Sequence, residues 1–291
     1  FQPILWSKGI KGGTREERCS EMKKILLSVA PVEAIRHKID QSALVEDILK
    51  CSELGTSMVH LHVRDENACL TEAPEFTNRI IEEIRKYSNI IIEISTGGVS
   101  DLTIDQRCVC VSEDMRIEAH SLNVGSVNLG EQVYINSPKD VVYCINKIKQ
   151  YRKKAEVEVF ELGHIYTTRE LAKKYGFSLP VWFSVVLGHE GAAPAEEKVL
   201  KYMVQYIKSS FKAQDAIWGI THAHRTNFEL INTAIAMGAE TVRLGFEDSG
   251  YGSKQQVHYN WEIIKEFKEV CQNQDTEFMS ADEARSLLNI M

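Results

Sequence analysis

The sequence predicts an α/β protein folded as a (β/α)8 TIM barrel, and three observations carry that expectation. Short apolar runs of strand character alternate eight times with segments of helical period. No domain break is evident in the 291 residues, a length that suits one such barrel. The alternative, a doubly wound sheet, lacks its usual marks: no G-x-G-x-x-G follows the first strand, and no G-x-x-x-x-G-K-[S/T] occurs.

Residues 1–22, rich in Gly, Lys, Arg, Glu and Ser from position 7 on, read as an N-terminal arm, and residues 23–291 as the barrel domain. The first strand is Ile25–Ala30, stopped by Pro31. A helix follows over 41–53, with Leu44, Val45, Ile48 and Leu49 at helical spacing, and Gly55 ends it. The second strand, 57–63, alternates apolar and polar positions, so His60, His62 and Arg64 share one face and Val59, Leu61 and Val63 the other. Pro74 suits the first turn of the next helix, whose face is Phe76, Ile80, Ile81 and Ile84.

Ile90–Ser95 is the third strand and runs into Thr96-Gly97-Gly98, a turn that lets backbone approach a ligand. A weak helix is expected over 103–113, and the fourth strand over Glu118–Val124. Pro138 opens a helix to about 152, and the fifth strand is read at Val157–Leu162, with a helix over 165–175. Val181–Leu187 is the sixth strand, 195–208 helical, Asp215–Thr221 the seventh strand and 225–237 helical. Glu240–Phe246 is the eighth strand and 255–272 its helix. Ser280-Ala281-Asp282-Glu283 is a capping box for a short extra helix near the C-terminus.

Composition narrows the function. A net charge of −7 and a pI near 5.8 leave no basic footprint for nucleic acid. No apolar run approaches the roughly 18 residues of a membrane span, and the arm has no apolar stretch of the kind a secretory signal needs. Seven scattered cysteines without a C-x-x-C predict reduced thiols and a cytoplasmic setting.

Barrel enzymes work at the C-terminal ends of their strands. Those ends carry His60, His62 and Arg64; Ser95 and Thr96; Ser121 and Asn123; Glu161, with Glu158 inside its strand; and Arg243, Glu247 and Asp248. Polar groups at the ends of apolar strands need partners, because burying them unpaired is costly. Two imidazoles two residues apart on one strand face can grip a metal ion; the plainer reading is a pair of hydrogen-bonded core histidines. Glu247 is the best third ligand, since strand one alone separates strands two and eight in a closed barrel. Two His and one carboxylate, with positions left open, suit catalytic Zn²⁺ and also non-haem Fe(II). His222 and His224 repeat the i, i+2 spacing and are rival ligands, and Glu247 could instead be a surface acid paired to a lysine. Arg243 can hold Asp248, a substrate carboxylate or a barrel acid such as Glu158. Asp248 is either a general base or a turn former.

Taken as a set, these residues resemble the β-keto acid cleavage enzymes, a family that includes 3-keto-5-aminohexanoate cleavage enzyme. The resemblance is carried by His60-x-His62-x-Arg64-Asp65, Ser95-Thr96-Gly97-Gly98, Ser121-Leu122-Asn123-x-Gly125-Ser126 and Arg243-Leu244-Gly245-Phe246-Glu247-Asp248, and it runs from about Lys24 to Met291. It implies a zinc TIM barrel that forms homo-oligomers, with Zn²⁺ on His60, His62 and Glu247. It implies that Asp248, paired with Arg243, removes a proton from the carbon between ketone and carboxylate. Acetyl-CoA is the implied co-substrate, and acetoacetate plus a new acyl-CoA the products of a Claisen and retro-Claisen sequence. Substrate contacts are implied for Ser95, Thr96, Gly97, Gly98 and Ser121, and for Glu33 toward an amino group. The 31–43 loop lacks the family's Pro- and Thr-rich stretch, and Asp65-Glu66 departs from its common Asp-Pro. The Gly-rich loops at 188–194 and 249–253 are candidates to border CoA. A zinc hydrolase or class II aldolase on the same barrel, or a non-catalytic barrel binding a small acid, are the readings that compete.

Overall fold

The computed structural model describes residues 22–290, so the expected arm lies outside it apart from Met22. Eight parallel strands succeed one another around a closed barrel. They are β1 (Lys23–Val29), β2 (Met58–Leu61), β3 (Ile91–Ser95), β4 (Ala119–Asn123), β5 (Lys154–Val159), β6 (Val181–Leu187), β7 (Ala216–His222) and β8 (Thr241–Leu244). Each pairs with the next, and β8 pairs with β1, with Ser28 opposite Arg243, which closes the ring.

The helices between them are α1 (Gln41–Glu53), α2 (Glu75–Tyr87), α3 (Ile104–Arg107), α4 (Pro138–Gln150), α5 (Leu162–Tyr175), α6 (Glu197–Ser210), α7 (Glu229–Ala236) and α8 (Asn260–Gln272). The final α9 (Ala281–Leu288) has the expected capping box, with Ser280 Oγ accepting from Glu283 N–H. Outward-facing Ile25, Leu27, Val59, Ile92 and Val185 meet helix residues such as Ile48, Ile81 and Phe267 in one continuous core. Inward-facing Leu26, Met58, Ile91, Trp182 and Ile217 fill the bottom of the barrel, where α9 plugs it with Ala284 and Leu288.

Some expected elements shift. The 103–113 helix shrinks to the single turn of α3, held by a Thr103–Gln106 capping box. Strand five begins and ends three residues earlier than read, so Glu161 is an exposed helix N-cap rather than a strand-end group. Its four residues of alternating Glu and Val, Glu156 to Val159, fit either register; pairing with β4, with Asn123 opposite Glu158, decides it. Two features were not expected: an antiparallel hairpin, Val127–Leu129 with Gln132–Tyr134, and a short strand, Thr276–Phe278, beside the start of β1.

Candidate metal and acid–base centre

The site is built on strand register. His60 lies opposite Glu93, and Ser95 opposite Ser121, so each pair faces the barrel axis together. His60 Nδ1 meets Glu93 Oε2 at 2.9 Å, and His62 Nδ1 meets the Gly97 carbonyl at 3.2 Å. Both Nδ1 atoms thus donate to acceptors, which leaves both Nε2 lone pairs free to converge. They converge with Glu247 Oε1: the Nε2 atoms are 3.4 Å apart, and the carboxylate oxygen is 3.2 Å from His62 and 3.6 Å from His60. Three donors on a tetrahedral metal at zinc distances stand about 3.4 Å apart. The two histidines and the carboxylate therefore stand at a spacing that fits one such ion.

Electrostatics agree with that donor set. Burial pushes the His62 imidazole below its usual range despite the Glu247 charge beside it. Burial would raise the Glu247 carboxyl, yet His62, His60 and Arg243 outweigh it and hold the group well below the carboxylate range. A neutral imidazole and an ionised carboxylate are the forms that bind a metal.

Beside this cluster, Arg243 grips Asp248 with both prongs, Nε to Oδ2 at 3.0 Å and Nη2 to Oδ1 at 2.8 Å. Its Nη1 donates to Glu158 at 2.9 Å. Arg243 thus holds both acids that the sequence offered as alternatives. The arginine is fully buried; desolvation would weaken its charge, but Asp248, Glu247 and Glu158 raise its pKa well above the ordinary value.

The turn after β3 is also ordered by these contacts. Ser95 Oγ lies 2.9 Å from Ser121 Oγ and accepts from the Gly97 N–H at 3.1 Å. Thr96 Oγ1 donates to the Ser121 carbonyl at 2.7 Å. Gly97 leaves room for the Tyr134 ring: a Cβ there would lie 1.9 Å from Tyr134 Oη, delivered by the unexpected hairpin, and would push that buried phenol away.

A cavity of about 590 Å3 opens over the centre. His62, Ser95, Gly98, Arg243, Glu247 and Asp248 reach it, while Thr96, Gly97 and Ser121 lie behind its wall. Glu33 is half-buried and does not reach the lining; its loop instead presents Ala34 and Arg36. Pro31 is tied to α8 by Asn260 Nδ2 at 3.1 Å and Val32 packs on the core, so the loop approaches the cavity only beyond Glu33. His224 lines the cavity and donates its backbone N–H to the Asp248 carbonyl at 2.8 Å. Neither it nor His222 joins the donor cluster among the described residues, so the rival ligand pair is set aside. A second cavity, of about 430 Å3, lies at the bottom of the barrel between Lys154, Phe177 and Ile290 and holds none of the strand-end groups.

Two acids went unnoticed in the sequence. Glu93 and Glu156 form a second close group with His60 inside the barrel. Burial lifts the Glu93 carboxyl to about 8, and burial with the Glu93 charge lifts Glu156 well above its usual range. A lone acid inside the isoleucine run of β3 was the available signal.

Comparison with known proteins places this site in context. A family model described as beta-keto acid cleavage enzyme matches residues 37–290. The chain is 28% identical over 276 residues to 3-oxoadipate:acetyl-CoA acetyltransferase of Cupriavidus necator, covering 91% of this chain and 94% of that protein. It is 29% identical over 279 residues to 3-keto-5-aminohexanoate cleavage enzyme of Fusobacterium nucleatum, covering 92% and 99%. Among solved structures, the ternary complex of ObcA with a C4-CoA adduct and oxalate superposes with a TM-score of 0.75 at 16% identity, over 87% of this chain and 67% of that one, a likeness of fold. The chain belongs to the beta-keto acid cleavage enzyme family.

Proposed function

We propose that this protein condenses a β-keto acid with acetyl-CoA and releases acetoacetate and a new acyl-CoA; the keto acids and the acetyl-CoA named in its relatives support the two substrates. One observation carries the reading. In a chain of this family, a three-donor cluster at tetrahedral spacing and an Arg-gripped aspartate open into one cavity.

His60, His62 and Glu247 would hold Zn²⁺, with Glu93 and the Gly97 carbonyl fixing the imidazoles. Bound there, the ion would supply Lewis-acid polarisation of the substrate ketone. Asp248 takes a proton from the carbon between ketone and carboxylate. Its two contacts with Arg243 fix its direction for that task. Ser95 and the Gly98 backbone border the cavity where the substrate carboxylate would lie. Thr96, Gly97 and Ser121 hold that turn in shape.

The carbanion attacks the thioester carbonyl of acetyl-CoA, and the CoA thiolate leaves. That thiolate adds to the former ketone carbon. The bond between this carbon and the old carbanion carbon then breaks, and the acetoacetate enolate so released takes back the proton that Asp248 removed, giving acyl-CoA and acetoacetate with every atom retained.

The test is a panel of β-keto acids with acetyl-CoA and metal-loaded protein, assayed for acetoacetate. Formation of acetoacetate and a matching acyl-CoA is expected. No exchange across the panel at confirmed metal content would sink the proposal, and turnover without CoA would point to a hydrolase or an aldolase.

A further inference from the structure

The cavity contains two arginines that the donor cluster and the acid–base pair do not use. Arg64 stands just past β2, is only 7% exposed and lines the cavity. Its Nη1 donates to the Ala68 carbonyl at 2.6 Å, while its Nε has no acceptor. Glu247, whose charge it feels, spends its contacts on His60, His62 and Arg243. Among the described residues, Arg64 has no carboxylate at ion-pair distance. A guanidinium buried without an anion is costly, and the cost is relieved when an anion enters.

Arg36 lines the same cavity from the β1–α1 loop and is exposed. The two loops are joined: Ile39 N–H donates to the Glu66 carbonyl at 2.8 Å. Asp65 Oδ1 accepts from Asn67 and Cys69 N–H at 2.8 and 2.9 Å, and Arg64 forms an isolated antiparallel bridge with Leu70. Arg64 therefore sits on a stiff loop, with Arg36 on its neighbour and the small Ala34 and Ala68 in the same wall. The acid Glu190 lines the cavity from another loop, the one between β6 and α6.

We infer that Arg64 and Arg36 form an anion subsite for a second acidic group at the far end of the substrate, so that this protein prefers β-keto dicarboxylates to β-keto acids ending in a methyl or an ammonium group. A planar guanidinium matches a carboxylate with two parallel hydrogen bonds. The assignment rests on the proposed function for the position of the reacting end. The resemblance pointed to Glu33 and an amino group; the loop delivers the opposite charge.

The experiment has two arms. In the first, metal-loaded protein and acetyl-CoA are given β-keto acids of matched length ending in carboxylate, methyl or ammonium. The carboxylate form is expected to lead in kcat/KM by about ten-fold or more. Arg36→Gln is expected to raise KM for that form without a matching rise for the methyl form or for acetyl-CoA, and Arg64→Lys to retain part of the preference that Arg64→Gln loses. A preference for ammonium or methyl overturns the subsite, as does a rise confined to the KM of acetyl-CoA, which would give the anion to CoA. The second arm needs no turnover: calorimetric titration with adipate, hexanoate and 6-aminohexanoate. Tighter binding of adipate, weakened in Arg36→Gln, sustains the subsite even if cleavage is never seen. Equal binding of the three, or no binding of adipate, overturns it.

Discussion

Glu93 shows what a single buried side chain does here. It sits opposite His60, with one oxygen on Nδ1 and the other without a partner. Replacing it should loosen the donor cluster, because its oxygen orients His60: Glu93→Gln is expected to weaken zinc binding by about 10–100-fold in a chelator competition, with the fold intact by circular dichroism. The same residue makes a pH prediction. Its pKa rises from 4.5 to about 8 in the folded state, so between those values the native protein holds a proton that the unfolded chain has released. Stability of the metal-free protein should therefore fall as pH rises through that window, by a few kcal/mol at most. Urea melts from pH 5 to 8 should show the slope in the wild type and a flatter one in Glu93→Gln; an unchanged slope would move the proton elsewhere. At Asp248, the Asn variant should keep its metal and lose turnover by about 10²–10⁴-fold. Loss of metal in that variant would make the residue structural.

At the scale of elements, the turn after β8 does the positioning. Gly245 has φ +132°, and a Cβ there would lie 2.3 Å from the Ala30 carbonyl oxygen. That close approach is what lets Glu247 N–H reach the same carbonyl at 3.1 Å and Ala30 N–H reach the Leu244 carbonyl at 2.8 Å. Gly245→Ala is therefore expected to cost about 1–3 kcal/mol or more in denaturant unfolding and to lower metal content, because the same turn carries Glu247. A stable variant with full metal would show that the strands can separate without cost to the site. The hairpin acts likewise on the β3 turn, since Tyr134 fills the space above Gly97 and Arg107 ties Tyr134 and Asn136 to the Thr96 carbonyl.

Over the whole molecule, chemistry and stability are segregated along the barrel axis. The polar layer of His60, Glu93, Glu158 and Arg243 lies toward the strand ends, and the apolar layer of Leu26, Met58, Ile91 and Trp182 lies below it, closed by α9. Arg285 of α9 and Arg85 of α2 both meet Glu118, which fastens the plug to the ring. Leu288 of that plug is fully buried. Leu288→Ala should destabilise the protein by about 2–5 kcal/mol while zinc affinity stays unchanged. A change in metal binding would mean that the two ends of the barrel are coupled.

Local period determined much of this protein. Strand alternation put His60 and His62 on one face, and the alternation of apolar runs with helical segments specified the barrel, because both depend on residues a few positions apart. The closed ring, with only strand one between strands two and eight, marked Glu247 as a candidate third donor, and the turn at Gly245 delivers it. Tertiary structure decided the rest. Glu93 and Glu156 carried no reading of their own until register set them beside His60, and the ends of β5 were settled by its neighbour β4 rather than by its own pattern. Arg243 could have taken either Glu158 or Asp248; three prongs aimed inside a closed ring let it take both. Which charge the β1–α1 loop offers the cavity, Glu33 or Arg36, depended on where that loop is tied down, through contacts with α8 and the β2–α2 loop that no local spacing encodes.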